Sequence, residues 1–296
     1  MFGPNTHLNT EVSVRESHRD ASSKTLIRAF RDTFTEKFAL HDFDIVFLVG
    51  GGSLGVESLV YSSRNPVRVV GVDGDFTSRW QDLGTIHNRS KSRPELDLEQ
   101  QLLYCQLETS VSAFQYFGDG FVDSVASFPY VRIPDDTRAF VTSSNKILGS
   151  FVGLTIVGVR KNLRSSLLNE ADASYLSLAR YFKYMDFDQT PSTTSIHNVR
   201  HLLNVIQETD YAKVCRKIDV VSDLLSETVG AEYIIGATRS PVLTIQAQRI
   251  PISIAEKWDL YRKPRHDGVY QLFTYSCQLS EYEQFCEEFS KHLRGR

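Results

Sequence analysis

The stretch Asp44-Ile45-Val46-Phe47-Leu48-Val49-Gly50-Gly51-Gly52-Ser53 decides the fold class. After Asp44 the apolar residues run on without alternation. Such a run reads as a strand buried on both faces, as in a parallel sheet covered by helices. Three glycines and a serine then release the chain into a helix predicted over 54–63. A glycine-rich turn between a buried strand and a helix lets backbone N–H groups approach an anion, and the helix N-terminus adds positive potential. Ser53 adds a hydroxyl. The turn lacks the lysine of a P-loop and the spacing of a dinucleotide fingerprint. By itself it serves equally as a tight strand-to-helix connection.

Upstream, residues 2–20 are polar and read as an extended arm. Leu26, Phe30, Phe34 and Phe38 recur every four residues, with Ile27 beside them, which predicts a helix over 21–40. Downstream, strands are predicted over 67–72, 101–107, 120–125, 138–142 and 154–159, a loop or short helix over 83–100, and helices over 163–184 and 194–208. This alternation argues for an α/β unit with a mainly parallel sheet. After about residue 210 the pattern changes: a helix over 214–229, short strands over 233–235, 242–246 and 269–274, and a last helix over 280–293. The expected organisation is a large domain, 1–210, and a small α+β domain, 211–296.

Composition agrees with a globular chain. Its 296 residues are 41% hydrophobic and 23% charged, which excludes a wholly disordered chain. Lys+Arg number 33 and Asp+Glu 36, a net charge of −3, so no global basic charge draws the chain to nucleic acid. Cys105, Cys215, Cys277 and Cys286 form no CxxC and no zinc spacing. Reduced thiols, the lack of a signal-peptide pattern and the lack of a long apolar run lead us to expect a soluble cytoplasmic protein. No metal is expected.

Three more residues fall at the ends of successive strands. Phe76 follows the strand that ends at Asp73-Gly74. Asp123 sits in the apolar run Gly120-Phe121-Val122-Asp123-Ser124-Val125, where a carboxylate needs a partner or an exposed strand end. Lys146 closes Arg138-Ala139-Phe140-Val141-Thr142-Ser143-Ser144-Asn145-Lys146, at the edge where α/β sheets hold ligands. Singly, each has a plainer reading: core packing, a loop cap, a solvated lysine. In this order they supply what pyridoxal 5'-phosphate requires: an anion cradle, a stacking ring, a carboxylate for the pyridine nitrogen and a lysine for the aldehyde.

These residues carry a resemblance to the class V aminotransferases, pyridoxal-phosphate enzymes of the aspartate-aminotransferase-like fold (fold type I). The chain is most similar to the 2-aminoethylphosphonate–pyruvate and serine/alanine–glyoxylate transaminases, in a shortened form. Gly50-Gly51-Gly52-Ser53-Leu54-Gly55-Val56-Glu57 resembles the family's phosphate loop, Asp73-Gly74-Asp75-Phe76-Thr77-Ser78-Arg79 its stacking segment, and Glu108-Thr109-Ser110 a turn that touches the cofactor. Phe121 to Ser127 resembles the strand whose carboxylate pairs with the pyridine nitrogen, and Thr142 to Gly149 the Schiff-base motif. The resemblance implies cofactor contacts from Gly51, Gly52, Ser53, Leu54, Phe76, Thr109, Asp123, Asn145, Lys146 and, reaching over from a second subunit, Thr190 of Thr190-Pro191. It implies Asp123 and Lys146 as catalytic groups, and a homodimer.

Two departures matter. The chain is short between Arg79 and Asp123, which leaves 110–120 too brief for a connecting helix. Where the family carries a carboxylate-binding arginine, this chain has Gln271, in Tyr270-Gln271-Leu272-Phe273. A neutral amide cannot make the bidentate ion pair of a guanidinium. Arg19, Arg262 or Arg265 substitutes, or the substrate has no carboxylate there. The expected function is aminotransfer to or from a primary amine, a small molecule. The alternative is a pyridoxal-phosphate decarboxylase or lyase acting on an amino group of a larger substrate, such as a hypermodified nucleobase in phage DNA. His197 and His201, four apart on a helix, read as helix surface rather than metal ligands. The basic cluster Arg89, Lys91 and Arg93 reads as solvated, or as steering for an anionic substrate.

Overall fold

The computed structural model describes residues 20–89, 100–115, 118–190, 196–262 and 268–294. Helix α1 (Ala21–Lys37) leads into strand β1 (Phe43–Val49), and the glycine turn into α2 (Gly52–Ser62). There follow β2 (Val67–Val69), α3 (Asp75–Arg89), β3 (Gln101–Cys105), the hairpin β4 (Leu107–Glu108) and β5 (Ala113–Phe114), β6 (Phe121–Asp123), β7 (Ala139–Ser143) and β8 (Leu154–Arg160). Six of these strands form one sheet in the order β1-β8-β7-β6-β3-β2. β8 runs antiparallel to both neighbours, β1 and β7, and the remaining pairs are parallel. The sheet is therefore mainly parallel, and β1, β2, β3, β6 and β7 all deliver their C-terminal ends to one edge.

Packing follows from the apolar pattern. On α1, Leu26, Ile27, Phe30 and Phe34 are buried, and Phe30 meets Phe47 of β1 edge to face with ring centroids 5.5 Å apart. α2 lies close on the sheet because it carries glycine: a Cβ at Gly55 would sit 2.2 Å from Thr155 Cγ2 of β8 and 2.6 Å from Val141 Cγ1 of β7. Beyond β8 come α4 (Arg164–Leu167), α5 (Leu178–Met185) and α6 (Ile196–Glu208), whose buried Val199, Leu202 and Ile206 join the same core.

A second sheet and a second core belong to the rest of the chain. α7 (Tyr211–Val229) starts at Asp210, whose side chain accepts from Lys213 N at 3.0 Å. Next come β9 (Ile234–Ile235), β10 (Val242–Gln246), α8 (Ile252–Lys257), β11 (Tyr261–Arg262), β12 (Val269–Phe273) and α9 (Leu279–Arg294). The four strands form an antiparallel sheet, β11-β12-β10-β9. α7 and α9 cover it with Val221, Leu225, Phe285 and Phe289. Among the described residues no helix is long and apolar enough to cross a membrane.

Two expectations are corrected. Part of the span 83–100 is the end of α3, a full helix from Asp75 to Arg89; residues 90–99 lie outside the described residues. The helix expected over 163–184 is two helices, α4 and α5, parted by an irregular stretch. That stretch turns on its own side chains, with Ser174 N donating to Asp172 Oδ1 at 2.8 Å and Leu176 N to Ser174 Oγ at 3.1 Å. It is tied to the end of α2, where Asn169 N donates to Ser62 O at 2.8 Å and Leu178 N, at the start of α5, to Ser62 Oγ at 2.8 Å. A short helix, α8, and the β4–β5 hairpin were not expected from sequence.

Candidate active site

A cavity of about 160 Å³ opens where the C-terminal ends of the parallel strands face the second sheet. Ser53, Phe76 and Thr109 line it from the first sheet's side. Gln271, Phe273 and Tyr261 line it from the second. Asp123 and Lys146 lie within the same cavity. Asp123 and Lys146, 23 residues apart in sequence, are thus brought into one cavity.

Asp123 is the last residue of β6 and is 4% exposed. Burial pushes its carboxyl up to about 6, against the Val125 N–H and the Trp80 indole, which favour the charged form; Glu108 nearby raises it further and the Lys146 ammonium lowers it. Val125 N donates to Oδ1 at 3.0 Å and Trp80 Nε1 to Oδ2 at 2.8 Å. Each carboxylate oxygen keeps a lone pair for one more donor. Lys146 lies in the turn after β7, and its Nζ stands 5.3 Å from the Phe273 ring centroid. Among the described lining residues it is the one cation.

The glycine turn delivers the start of α2 to the cavity. Gly51 is the N-cap, Ser53 lines the space, and Gly52 packs so closely on Val125 that a Cβ would lie 2.4 Å from Val125 Cγ2. Gly51, Gly52 and Leu54 belong to the same turn without lining the cavity themselves. Ser143 was missed from sequence. It is 1% exposed, and its Oγ has no hydrogen-bond partner among the described residues. It stands opposite Thr155 in the β7–β8 ladder, so it faces the α2 side of the sheet. The signal was present as a hydroxyl three residues before Lys146. Trp80 was also missed.

Glu108 takes a different part from the one expected of its turn. It is fully buried and holds the first turn of α3: Phe76 N, Thr77 N and Thr77 Oγ1 donate to Oε2, and Ser110 N and Oγ to Oε1. Thr109 lines the cavity, and its carbonyl accepts from Gln271 Nε2 at 2.5 Å and Thr244 Oγ1 at 2.7 Å. Gln271 thus lines the cavity with its amide nitrogen already engaged. Asn145 is half-buried beside Lys146 and does not line the cavity. Thr190 is buried, with its hydroxyl unpartnered among the described residues, and stands outside the lining. Arg19, Arg265 and Pro191 lie outside the described residues, as do Lys91 and Arg93. His201 Nδ1 pairs with Ser150 Oγ at 2.8 Å.

These groups fit pyridoxal phosphate. A buried carboxylate with lone pairs to spare, a lysine in the same cavity, a ring on the wall, and an orphaned hydroxyl on the sheet face covered by α2 and its glycine turn match the four parts of that molecule.

No family model matches the chain, and no curated protein does. Solved structures do. An aspartate aminotransferase of subgroup IV from Thermus thermophilus superposes with a TM-score of 0.77 at 19% identity, over 96% of this chain and 94% of that one. A phosphoserine aminotransferase from Cytophaga hutchinsonii gives 0.76 at 14%, over 93% and 90%. An alanine–glyoxylate aminotransferase from Nostoc sp. gives 0.77 at 15%, over 95% and 90%. At these identities the likeness speaks of architecture, and the chain has the aspartate-aminotransferase-like α/β fold.

Proposed function

We propose that the protein is a pyridoxal-phosphate-dependent aminotransferase acting on a small primary amine. The observation that carries this reading is the pairing of buried Asp123 with Lys146 in one cavity beside the glycine turn. The solved structures it resembles are named as aminotransferases, one of them with pyridoxal phosphate bound.

Asp123 would hold the ring nitrogen, and Phe76 would stack on the ring. The N–H groups of Gly52 and Ser53, with the Ser143 hydroxyl, would hold the phosphate. When bound, the cofactor supplies an electron-withdrawing ring conjugated to the substrate's α-carbon. Lys146 Nζ would take the proton from that carbon and deliver it to the cofactor's C4′. The carboxylate of Asp123 keeps a proton on the ring nitrogen, which maintains the ring's pull. Phe273, 5% exposed, would exclude water on the side of the second sheet. The same reading divides the chain at 210/211, with 1–210 holding the cofactor and 211–296 closing over it. It also implies a homodimer in the cytoplasm. Thr190 does not line the cavity of its own chain, as a residue serving the partner's site would not.

The test is the visible absorption of purified protein mixed with pyridoxal phosphate. A yellow band present in wild type, absent in Lys146→Ala, and bleached by an amino donor with stoichiometric keto-acid supports aminotransfer. A protein that takes up no cofactor sinks the proposal. Carbon dioxide release without keto-acid turns it toward decarboxylation.

A further inference from the structure

One turn beyond Phe76, Trp80 is 2% exposed and points its indole N–H at Asp123 Oδ2, 2.8 Å away. We propose, resting on the reading of Asp123 as the partner of the cofactor's ring nitrogen, that Trp80 is a positioning residue whose indole N–H keeps the Asp123 carboxylate charged and aimed at that nitrogen.

The chemistry of the pair has one sense. Indole nitrogen only donates, so it stabilises a carboxylate oxygen. The groups facing Asp123 come from every element around it. Lys146, after β7, and the Val125 N–H, after β6, favour its charge, whereas Glu108 of β4 and burial oppose it. The thiol of Cys105 stands beside it on β3. Trp80 is the donor that α3 adds to this balance. It also fixes direction: with Val125 N–H on Oδ1 and the indole on Oδ2, the carboxylate cannot rotate without breaking a bond.

The indole itself is held. Glu108 accepts from Phe76 N at 3.1 Å and Thr77 N at 2.8 Å, and Ser110 Oγ accepts from Asp75 N at 3.0 Å, so the first turn of α3 is pinned to the sheet edge. The Arg79 guanidinium lies 5.3 Å from the indole centroid. Phe76 and Trp80, one helical turn apart with centroids at 6.2 Å, divide the work between ring face and ring nitrogen.

Trp80 can report on its own partner. The chain has two tryptophans, so Trp258→Phe leaves Trp80 as the single indole emitter. Emission of this cofactor-free protein is followed from about pH 4 to about pH 8. The expected result is one step with a midpoint near the value of about 6 given by burial, and its loss when Asp123→Asn is added. A flat titration, or a step that survives Asp123→Asn, overturns the proposal and leaves the cofactor reading standing. The second measurement is the Kd for pyridoxal phosphate by equilibrium dialysis for wild type and Trp80→Phe. Removing the donor moves the ionisation of Asp123 upward by about one pH unit. Trp80→Phe then binds about tenfold more weakly near pH 5.5, and the gap narrows toward about pH 8.5. Parallel pH profiles, the mark of a packing role alone, overturn the proposal. Wild-type protein that takes up no pyridoxal phosphate overturns the cofactor reading, and this proposal with it.

Discussion

Replacing Asp123 by Asn should make the cofactor-free protein more stable at neutral pH and less stable in acid. Burial lifts the Asp123 carboxyl from 3.8 to about 6. Between those values the folded protein holds a proton that the unfolded chain has given up, so this group's contribution to stability falls as pH rises. The carboxylate costs the fold nothing below about pH 3.8, and about 3 kcal/mol once pH exceeds about 7, at 1.36 kcal/mol per pH unit. Asn removes the charge but turns an amide N–H₂ toward either the Val125 N–H or the Trp80 indole, at a pH-independent cost of about 1 kcal/mol. Relative to wild type, the variant should lose about 1 kcal/mol near pH 4 and gain about 2 kcal/mol near pH 8. Urea denaturation followed by circular dichroism, on both proteins without cofactor across this range, measures the difference. Groups common to both cancel. A difference that stays flat from acid to alkaline pH refutes the argument that Asp123 is charged at a cost. Pyridoxal phosphate should then stabilise wild type more than the variant, since stabilisation by a ligand grows with its affinity for the fold.

Gly52→Ala places a methyl group 2.4 and 2.6 Å from the two methyls of Val125 and 3.1 Å from its Cβ, so the side chain or the turn must shift. It should cost about 1–3 kcal/mol in thermal unfolding and weaken pyridoxal-phosphate uptake, measured by dialysis. Glu108→Gln exchanges a two-oxygen acceptor for one oxygen and an amide nitrogen, which leaves donors of α3's first turn or of Ser110 unanswered. A loss of about 1–3 kcal/mol is expected in urea denaturation, and an unchanged midpoint would show that water replaces the carboxylate freely.

What could be read from sequence is what local pattern encodes. The unbroken apolar run before Gly50 is a buried strand, and Leu26, Phe30 and Phe34 form one helix face. Asp123 and Lys146 stand out because charge interrupts apolar strands at one edge of a sheet. α3 was half missed because its inward stripe, Phe76, Trp80 and Leu83, is sparse and shares the core side with the polar Thr77, and because the helix begins directly after Gly74. The break between α4 and α5 has a local signal in Asn169, Asp172, Ser174 and Ser177, whose side chains bond to the backbone, and an anchor in Ser62, far back in the chain, which no pattern between 163 and 184 announces. The Trp80–Asp123 bond joins residues from separate elements, and the Gln271–Thr109 bond joins two sheets. Such pairs follow no spacing rule. They exist only once the layers have packed.

The position of β8 sets an order of assembly. β1 is made early, yet its ladder partner is β8, with Phe43 against Arg160 and Val49 against Leu154, more than a hundred residues later. The glycine turn depends on the same late segment: Gly50 N donates to Gly153 O at 2.9 Å, and Thr155 Oγ1 to Gly50 O at 2.9 Å. On the ribosome, β1 waits as an unpaired apolar strand until β8 has emerged, which is slow loop closure of the kind that lengthens folding times and invites chaperones. The anion cradle cannot be complete before residues 153–155 are in place, so a bound phosphate would mark chains that have closed β1 onto β8.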